Sequence, residues 1–338
     1  MDKMNGLYAR LLSHDASFLT CREKEVFLRF LLSISEERFL SLSLDDIAFR
    51  VGRNFRRVRW SPAMSMRRTL LAARIMKARR IGSVCILDAA FPPMLREMDD
   101  PPFMLFYRGD LKILGRKCVS VVGTRRASPK AAKAASDFSK EACDDGMCVV
   151  SGLAFGIDAA AHKGALLSST PATCAVLPGG IDEVAPRSHV RLAARILERG
   201  GLVLSEYLPG TPAARFRYVQ RNRIVAALSP ATLVVQAHGG SGAMITAALS
   251  LDYNRELFFH AECFSRESLA AGEFSESQWK KLVAQGKKIE YKMNNTPRAL
   301  VDDGACVVHD YGEFRKMIAP LPFLPESARD NLFEGLEK

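Results

Sequence analysis

From residue 115 to residue 318, short apolar runs rich in β-branched residues alternate with longer stretches of helical character, and this rhythm limits the possible folds more than any other feature of the chain. The runs are Cys118–Val122, Met147–Val150, Thr173–Leu177, Leu202–Leu204, Thr232–Val235, Glu256–Phe259 and Ala305–Val308. A run without polar alternation fits a strand buried on both faces, as in a parallel sheet covered by helices. Intervals of about 25 to 30 residues suit one strand plus a crossover helix. The expected class is therefore α/β, an extended Rossmann-like, doubly wound and mostly parallel sheet. A polar, basic insert over 263–297, with Lys280, Lys281, Lys287, Lys288 and Lys292, breaks the rhythm at the sheet edge.

Ahead of this domain, residues 1–85 read as a small helical N-terminal domain. Val26, Phe27, Phe30, Leu31 and Ile34 recur at helical spacing within 23–40, and Ser43-Leu44-Asp45-Asp46 looks like a capped helix start with Gly52 as its stop. That short helix followed by basic residues faintly matches a helix-turn-helix. Residues 86–114 read as a Pro-rich linker and domain entry, because Pro92, Pro93, Pro101 and Pro102 exclude long helices. Residues 319–338 form a short tail.

The net charge of +11 is local. Arg50, Arg53, Arg56, Arg57, Arg59, Arg67, Arg68, Arg74, Lys77, Arg79 and Arg80 fall in one segment without an acid, and the other residues balance to zero. Such clustering points to a polyanionic partner. No run of about 18 apolar residues occurs, so no membrane partner is expected. The opening residues lack a secretory pattern, so the expected location is cytoplasmic. The eight cysteines have no metal-site spacing and mostly sit in apolar runs, where reduced cysteine packs as a small hydrophobe. No metal and no cofactor is expected.

In a doubly wound sheet, ligands meet the carboxyl ends of the strands, where backbone N–H groups and helix N-termini face outward. The first strand leads into Gly123-Thr124-Arg125-Arg126-Ala127-Ser128-Pro129, where a glycine permits close backbone approach and two arginines and two hydroxyls suit a phosphate. A dinucleotide site would instead want Gly-x-Gly-x-x-Gly and a later acid. The second strand leads into Ser151-Gly152-Leu153-Ala154-Phe155-Gly156-Ile157-Asp158, then His162 and Lys163, with His162 read as structural or binding rather than catalytic. Phe216-Arg217-Tyr218-Val219-Gln220-Arg221-Asn222-Arg223 combines arginines with aromatics, the pairing that neutralises phosphates and stacks bases. Arg217 and Arg221, four apart, should share a helix face. Gln236-Ala237-His238-Gly239-Gly240-Ser241-Gly242 forms an anion cradle without the Gly-Lys-Ser/Thr of an NTPase.

These motifs, together with Phe91-Pro92-Pro93-Met94-Leu95, Asp100-Pro101-Pro102 and Ser205-Glu206-Tyr207, resemble in order the DNA-processing protein A family (DprA, also called Smf). The resemblance covers roughly residues 67 to 260 and returns near 300–308. It implies a homodimeric, non-enzymatic protein that binds and protects single-stranded DNA and loads the RecA recombinase during natural transformation. Carried residue by residue, it selects Gly123, Thr124, Arg125, Ser128, Lys163, Phe216, Arg217, Arg221, Asn222 and Arg223. Arg126, Gly152, Ser241 and Gly242, read from the loops themselves, complete the expected DNA- and phosphate-binding set. The chain departs from the family's pattern after Phe258, where His260-Ala261-Glu262-Cys263 replaces a usual Pro-Gly, and no winged helix is expected after Ala319.

Two rival readings follow from other segments. Pro178-Gly179-Gly180 is similar to the loop of nucleotide phosphoribohydrolases of the lysine-decarboxylase-like family, but Ile181-Asp182 interrupts the Pro-Gly-Gly-x-Gly-Thr run those enzymes need. The basic N-terminal helices would alternatively make a duplex-specific regulator.

Overall fold

The computed structural model describes residues 3–286 and 294–318. The tail at 319–338 and Lys287, Lys288 and Lys292 of the insert lie outside the described residues. The N-terminal part holds helices α1 (Gly6–Asp15), α2 (Cys21–Leu31), α3 (Glu36–Leu40), α4 (Leu44–Val51) and α5 (Pro62–Arg79). The helical spacing over 23–40 is two helices rather than one. The Ser35 hydroxyl accepts the Arg38 N–H at 3.3 Å and starts α3 afresh, as an N-cap side chain does. Ser43 and Asp46 form a reciprocal capping box on α4, and Gly52 closes it at φ 72°.

A nine-stranded sheet follows. Its strands are β1 (Gly82–Cys85), β2 (Met104–Gly109), β3 (Cys118–Val122), β4 (Cys148–Ser151), β5 (Thr173–Val176), β6 (Leu202–Ser205), β7 (Ala231–Val234), β8 (Glu256–His260) and β9 (Cys306–Val308). The spatial order is β1-β2-β6-β5-β4-β3-β7-β8-β9. The strands from β3 to β9 pair in parallel, whereas β1 and β2 pair antiparallel to each other and β2 antiparallel to β6. No strand was expected over 82–109. The apolar run Met104-Leu105-Phe106 follows Pro101 and Pro102, which disfavour a helix there but leave a strand free to form.

Crossover helices α7 (Pro129–Asp144), α8 (Ile157–Ala165), α9 (Val190–Glu198), α10 (Arg215–Ala227) and α11 (Gly242–Asp252) cover both faces, after α6 (Pro93–Arg96). The two-residue period of β3 divides its side chains between two cores. Val119 and Val121 pack with Ala131, Ala135 and Phe138 of α7. Cys118 and Val122 join Ile224, Val225 and Leu228 on the other face. Ser120 points to this second face and donates to the Val225 carbonyl at 2.6 Å, so its burial leaves no unpaired hydroxyl. A third core joins Phe27 and Phe39 to Phe103, Phe106 and Val203, so the N-terminal helices pack directly on the antiparallel end of the sheet. Arg10 pairs with Asp88 at 2.7 Å across this junction, and Arg79 donates to the Asp182 carbonyl at 2.8 Å.

The chain builds outward from β3 through β4, β5 and β6 on one side, then returns to β7 and builds the other side. The loops after β3 and β7 therefore diverge, and a crevice opens between them at the carboxyl ends of the strands. The insert adds α12 (Arg266–Ala284) after β8.

Helices α7 and α8 cross where Gly164 leaves no room for a side chain, because a Cβ there would stand 2.0 Å from the Ser136 carbonyl oxygen. Gly164→Ala should lower the unfolding free energy by roughly 1–3 kcal/mol despite its better helix propensity. Urea unfolding checks this, and unchanged or increased stability would show that the helices can separate freely.

Candidate nucleic-acid interface

An open cavity of about 460 Å³ occupies the crevice between β3 and β7. Gly123, Thr124, Arg125 and Arg126 come to it from the loop after β3, and Gly152, Ala154 and Asp158 from the loop after β4. Tyr218, Arg221, Asn222 and Val225 come from α10, and His238, Ser241 and Gly242 from the loop and helix start after β7. Three strand-tip loops and one helix, distant in sequence, thus share one concave surface.

Backbone contacts hold the two central loops together. The Thr124 N–H donates to the Gln236 carbonyl at 2.6 Å, and the Ser128 N–H donates to the Gln236 side chain at 2.9 Å. Gly123 is required here, since a Cβ would stand 2.4 Å from Ile157 and 2.8 Å from the Gln236 carbonyl. The Thr124 hydroxyl accepts the Arg126 N–H at 3.2 Å and the Ser128 hydroxyl caps α7. Both hydroxyls therefore shape the loop, while Arg125 and Arg126 remain exposed.

Arg221 is the buried cation of the site, with 4% of its surface exposed. Its guanidinium donates to the Val176 carbonyl, and its Nε has no protein partner. Gly152 makes the room: a Cβ there would lie 2.1 Å from the Arg221 Nη1. Burial lowers the Arg221 pKa and raises that of Asp158, and each charge opposes the shift of the other. The Asp158 carboxylate also accepts the N–H groups of Gly152 at 3.2 Å and Ala154 at 3.3 Å, which fixes that loop beneath the guanidinium. Around the mouth, the Arg125 guanidinium lies 5.2 Å from the Tyr218 ring centroid. Asp158 is the one acid among the lining residues, against Arg125, Arg126 and Arg221.

Helix α11 presents its N-terminus to the same space. Ser241 occupies the N-cap position without making a capping bond, and its hydroxyl has no partner. The first N–H groups of a helix have no intrahelical acceptor, so these donors and the positive end of α11 suit an anion.

Other expected residues stand elsewhere. Arg217 shares a helix face with Arg221 by spacing, but its guanidinium donates to the Pro212 carbonyl and lies 5.3 Å from the Tyr207 ring, so it does not line the cavity. Phe216 is exposed beside it. Arg223 is bound to Glu206 and reaches Asp100 at 3.4 Å, which commits it to joining α10 to the sheet. Lys163 lines a separate open cavity with Phe155 and His189. Pro178-Gly179-Gly180 is absent from the cavity wall; the Gly180 N–H donates to the Thr211 carbonyl at 2.7 Å. Residues that sequence reasoning did not place in the site are Tyr218, His238 and Asp158. Tyr218, Arg221, Asn222 and Val225 stand at i, i+3, i+4 and i+7, a helical face that the Arg217–Arg221 pairing obscured. No group of acidic, His and Cys side chains among the described residues can hold a metal.

The model of the DNA recombination-mediator protein A family matches residues 82–318. The chain belongs to that family. It is 29% identical to protein Smf of Borreliella burgdorferi over 243 residues, covering 72% of this chain and 76% of that protein. It is 35% identical to DNA processing protein DprA of Bacillus subtilis over 190 residues, 55% of this chain and 63% of the relative. The match thus spans less than two thirds of the Bacillus protein. The X-ray structure of DNA processing protein A from Streptococcus pneumoniae superposes with a TM-score of 0.66 at 29% identity, covering 96% of this chain and all of that one. The Helicobacter pylori protein, whose structure was described for its single-stranded DNA binding mode, shares the fold with a TM-score of 0.55 at 24% identity, over 71% of this chain and 96% of its own.

Beneath the site, His162 is fully buried and sits 2.7 Å from the Thr173 hydroxyl. That hydroxyl donates to the Val149 carbonyl at 2.7 Å, so the imidazole Nδ1–H is the donor to Thr173. Burial, then the Arg221 charge, lower the His162 pKa from 6.5 to about 3. The unfolded chain takes up this proton first, so stability is full above pH 6.5 and declines as pH falls toward 3. Between pH 6.5 and 5, His162→Gln should flatten the decline by up to about 1.4 kcal/mol per pH unit. Urea titrations at several pH values check this; parallel profiles for both proteins would refute it.

Proposed function

We propose that the cavity holds successive phosphates of single-stranded DNA. The observation that carries this reading is the convergence of two exposed arginines, one buried arginine and an uncapped helix N-terminus on a single open crevice. A mononucleotide enzyme would need a group poised for chemistry; of the candidates in the lining, Asp158 is already engaged with backbone N–H groups and the His238 Nδ1 is taken up by the Gly239 carbonyl at 3.0 Å. Two aromatics, the half-buried Tyr218 in the cavity wall and the exposed Phe216 outside it, suit unpaired bases, whose faces are free to stack. Family membership and the single-stranded DNA binding described for the Helicobacter pylori protein support the same reading.

The finer parts of the proposal rest on the family relationship: transfer of the strand to a RecA-type recombinase in natural transformation, assembly as a homodimer, a cytoplasmic location and the absence of catalysis. No helix among the described residues is long and apolar enough to cross a membrane.

Arg125→Ala and Arg126→Ala, both exposed and distant from the core, should each weaken oligo-dT binding about tenfold, alike for other unpaired sequences. Affinity should fall with salt at a log–log slope of roughly −0.7 per neutralised phosphate, and each substitution should make that slope shallower. Fluorescence anisotropy at several salt concentrations measures both. Wild-type affinity and slope in the double variant would exclude this site, and release of free adenine from AMP would favour the enzyme reading.

A further inference from the structure

A second cavity, of about 250 Å³, lies under the insert and shares His238 with the first. Its character is different. Phe264 and Trp279 line it with His238, and Glu273, Glu276 and Arg298 stand at its wall. The His238 and Trp279 ring centroids are 6.0 Å apart and their planes splay by 50°, a wedge rather than a closed stack. Gly272 lies on the same wall, and a side chain there would meet nothing within 4 Å.

Helix α12 delivers this wall. Leu269, Gly272, Glu273, Glu276 and Trp279 follow a 3–4 spacing and so occupy one face of the helix. The first turn of α12 is fixed to the phosphate loop through one amide: the Gln236 side chain donates to the Ser268 hydroxyl at 2.7 Å and accepts the Ser128 N–H at 2.9 Å. The two cavities are therefore mechanically joined as well as adjacent.

Their charges divide the parts of a nucleotide. The first cavity is lined by three arginines and one acid, whereas the second presents two carboxylates and one guanidinium, Arg298, and Glu276 holds Lys280 at 2.6 Å. Carboxylates repel phosphate but accept hydrogen bonds from exocyclic amino groups, and aromatic rings stack on bases of any sequence. We propose that this cavity is a base subsite, which takes an unstacked, amino-bearing nucleobase from the strand whose phosphates lie in the arginine cavity. The proposal rests on the single-stranded DNA reading above and adds what the insert contributes to it.

The test compares the full chain with two strands of equal length, oligo-dC and an abasic deoxyribose-phosphate oligomer. Trp279→Ala should weaken oligo-dC binding about tenfold and leave the abasic strand unaffected, while Trp279→Phe, which keeps an aromatic face, should restore oligo-dC binding. Arg125→Ala should weaken both strands. If Trp279→Ala leaves oligo-dC affinity unchanged, or lowers both strands alike, the base subsite is overturned while the arginine cavity stands. If the wild-type chain holds neither strand, the single-stranded DNA reading itself fails and takes this inference with it.

Discussion

The buried guanidinium of Arg221 is the interaction on which the site's geometry depends. It reaches the end of β5 through the Val176 carbonyl, sits against Gly152 at the end of β4, and lies in the field of Asp158 at the start of α8. A charge with so little exposure is tolerable because the Val176 carbonyl and the Asp158 carboxylate compensate part of its lost hydration, while Gly152 leaves it room. An apolar side chain in its place would leave the buried Asp158 carboxylate without a countercharge. The exposed arginines at the mouth then have a fixed floor beneath them.

Arginine serves three ends within two helical turns of α10. Arg221 faces inward and builds the cavity, Arg223 is spent on Glu206 and Asp100 to hold α10 against β6 and the α6–β2 loop, and Arg217 lies over Tyr207 at the rim. The same division applies to the N-terminal segment. Arg53 holds Glu23 at 2.5 Å and Arg68 holds Asp15 at 2.7 Å, so part of its positive charge is internal structure rather than a surface for a polyanion. Counting cations along a sequence therefore overstates the charge a ligand meets.

Much of the parallel sheet was legible because strands buried on both faces are nearly continuously apolar, as in Cys118-Val119-Ser120-Val121-Val122, where the one polar side chain bonds to the Val225 carbonyl. The antiparallel strands β1 and β2 were not, since Gly82-Ser83-Val84-Cys85 is short and Met104–Gly109 emerges from a Pro-rich stretch. The glycine loops at the strand tips could be found, because topology dictates where they must be. The facing of α10 could not be found from arginine spacing alone: Arg217 satisfies the i, i+4 rule with Arg221, yet the Pro212 carbonyl captures its guanidinium at the first turn. Likewise the insert read as merely polar, and nothing in its composition revealed that Trp279 would fold back toward His238.

A crystal structure of the chain with a short oligo-dT tests the central claim most directly. The account requires electron density for a phosphate between the Arg125 guanidinium and the first amides of α11, with the strand running through the β3–β7 crevice. A strand lying instead along the arginines of α5, with that crevice filled by solvent, would contradict it.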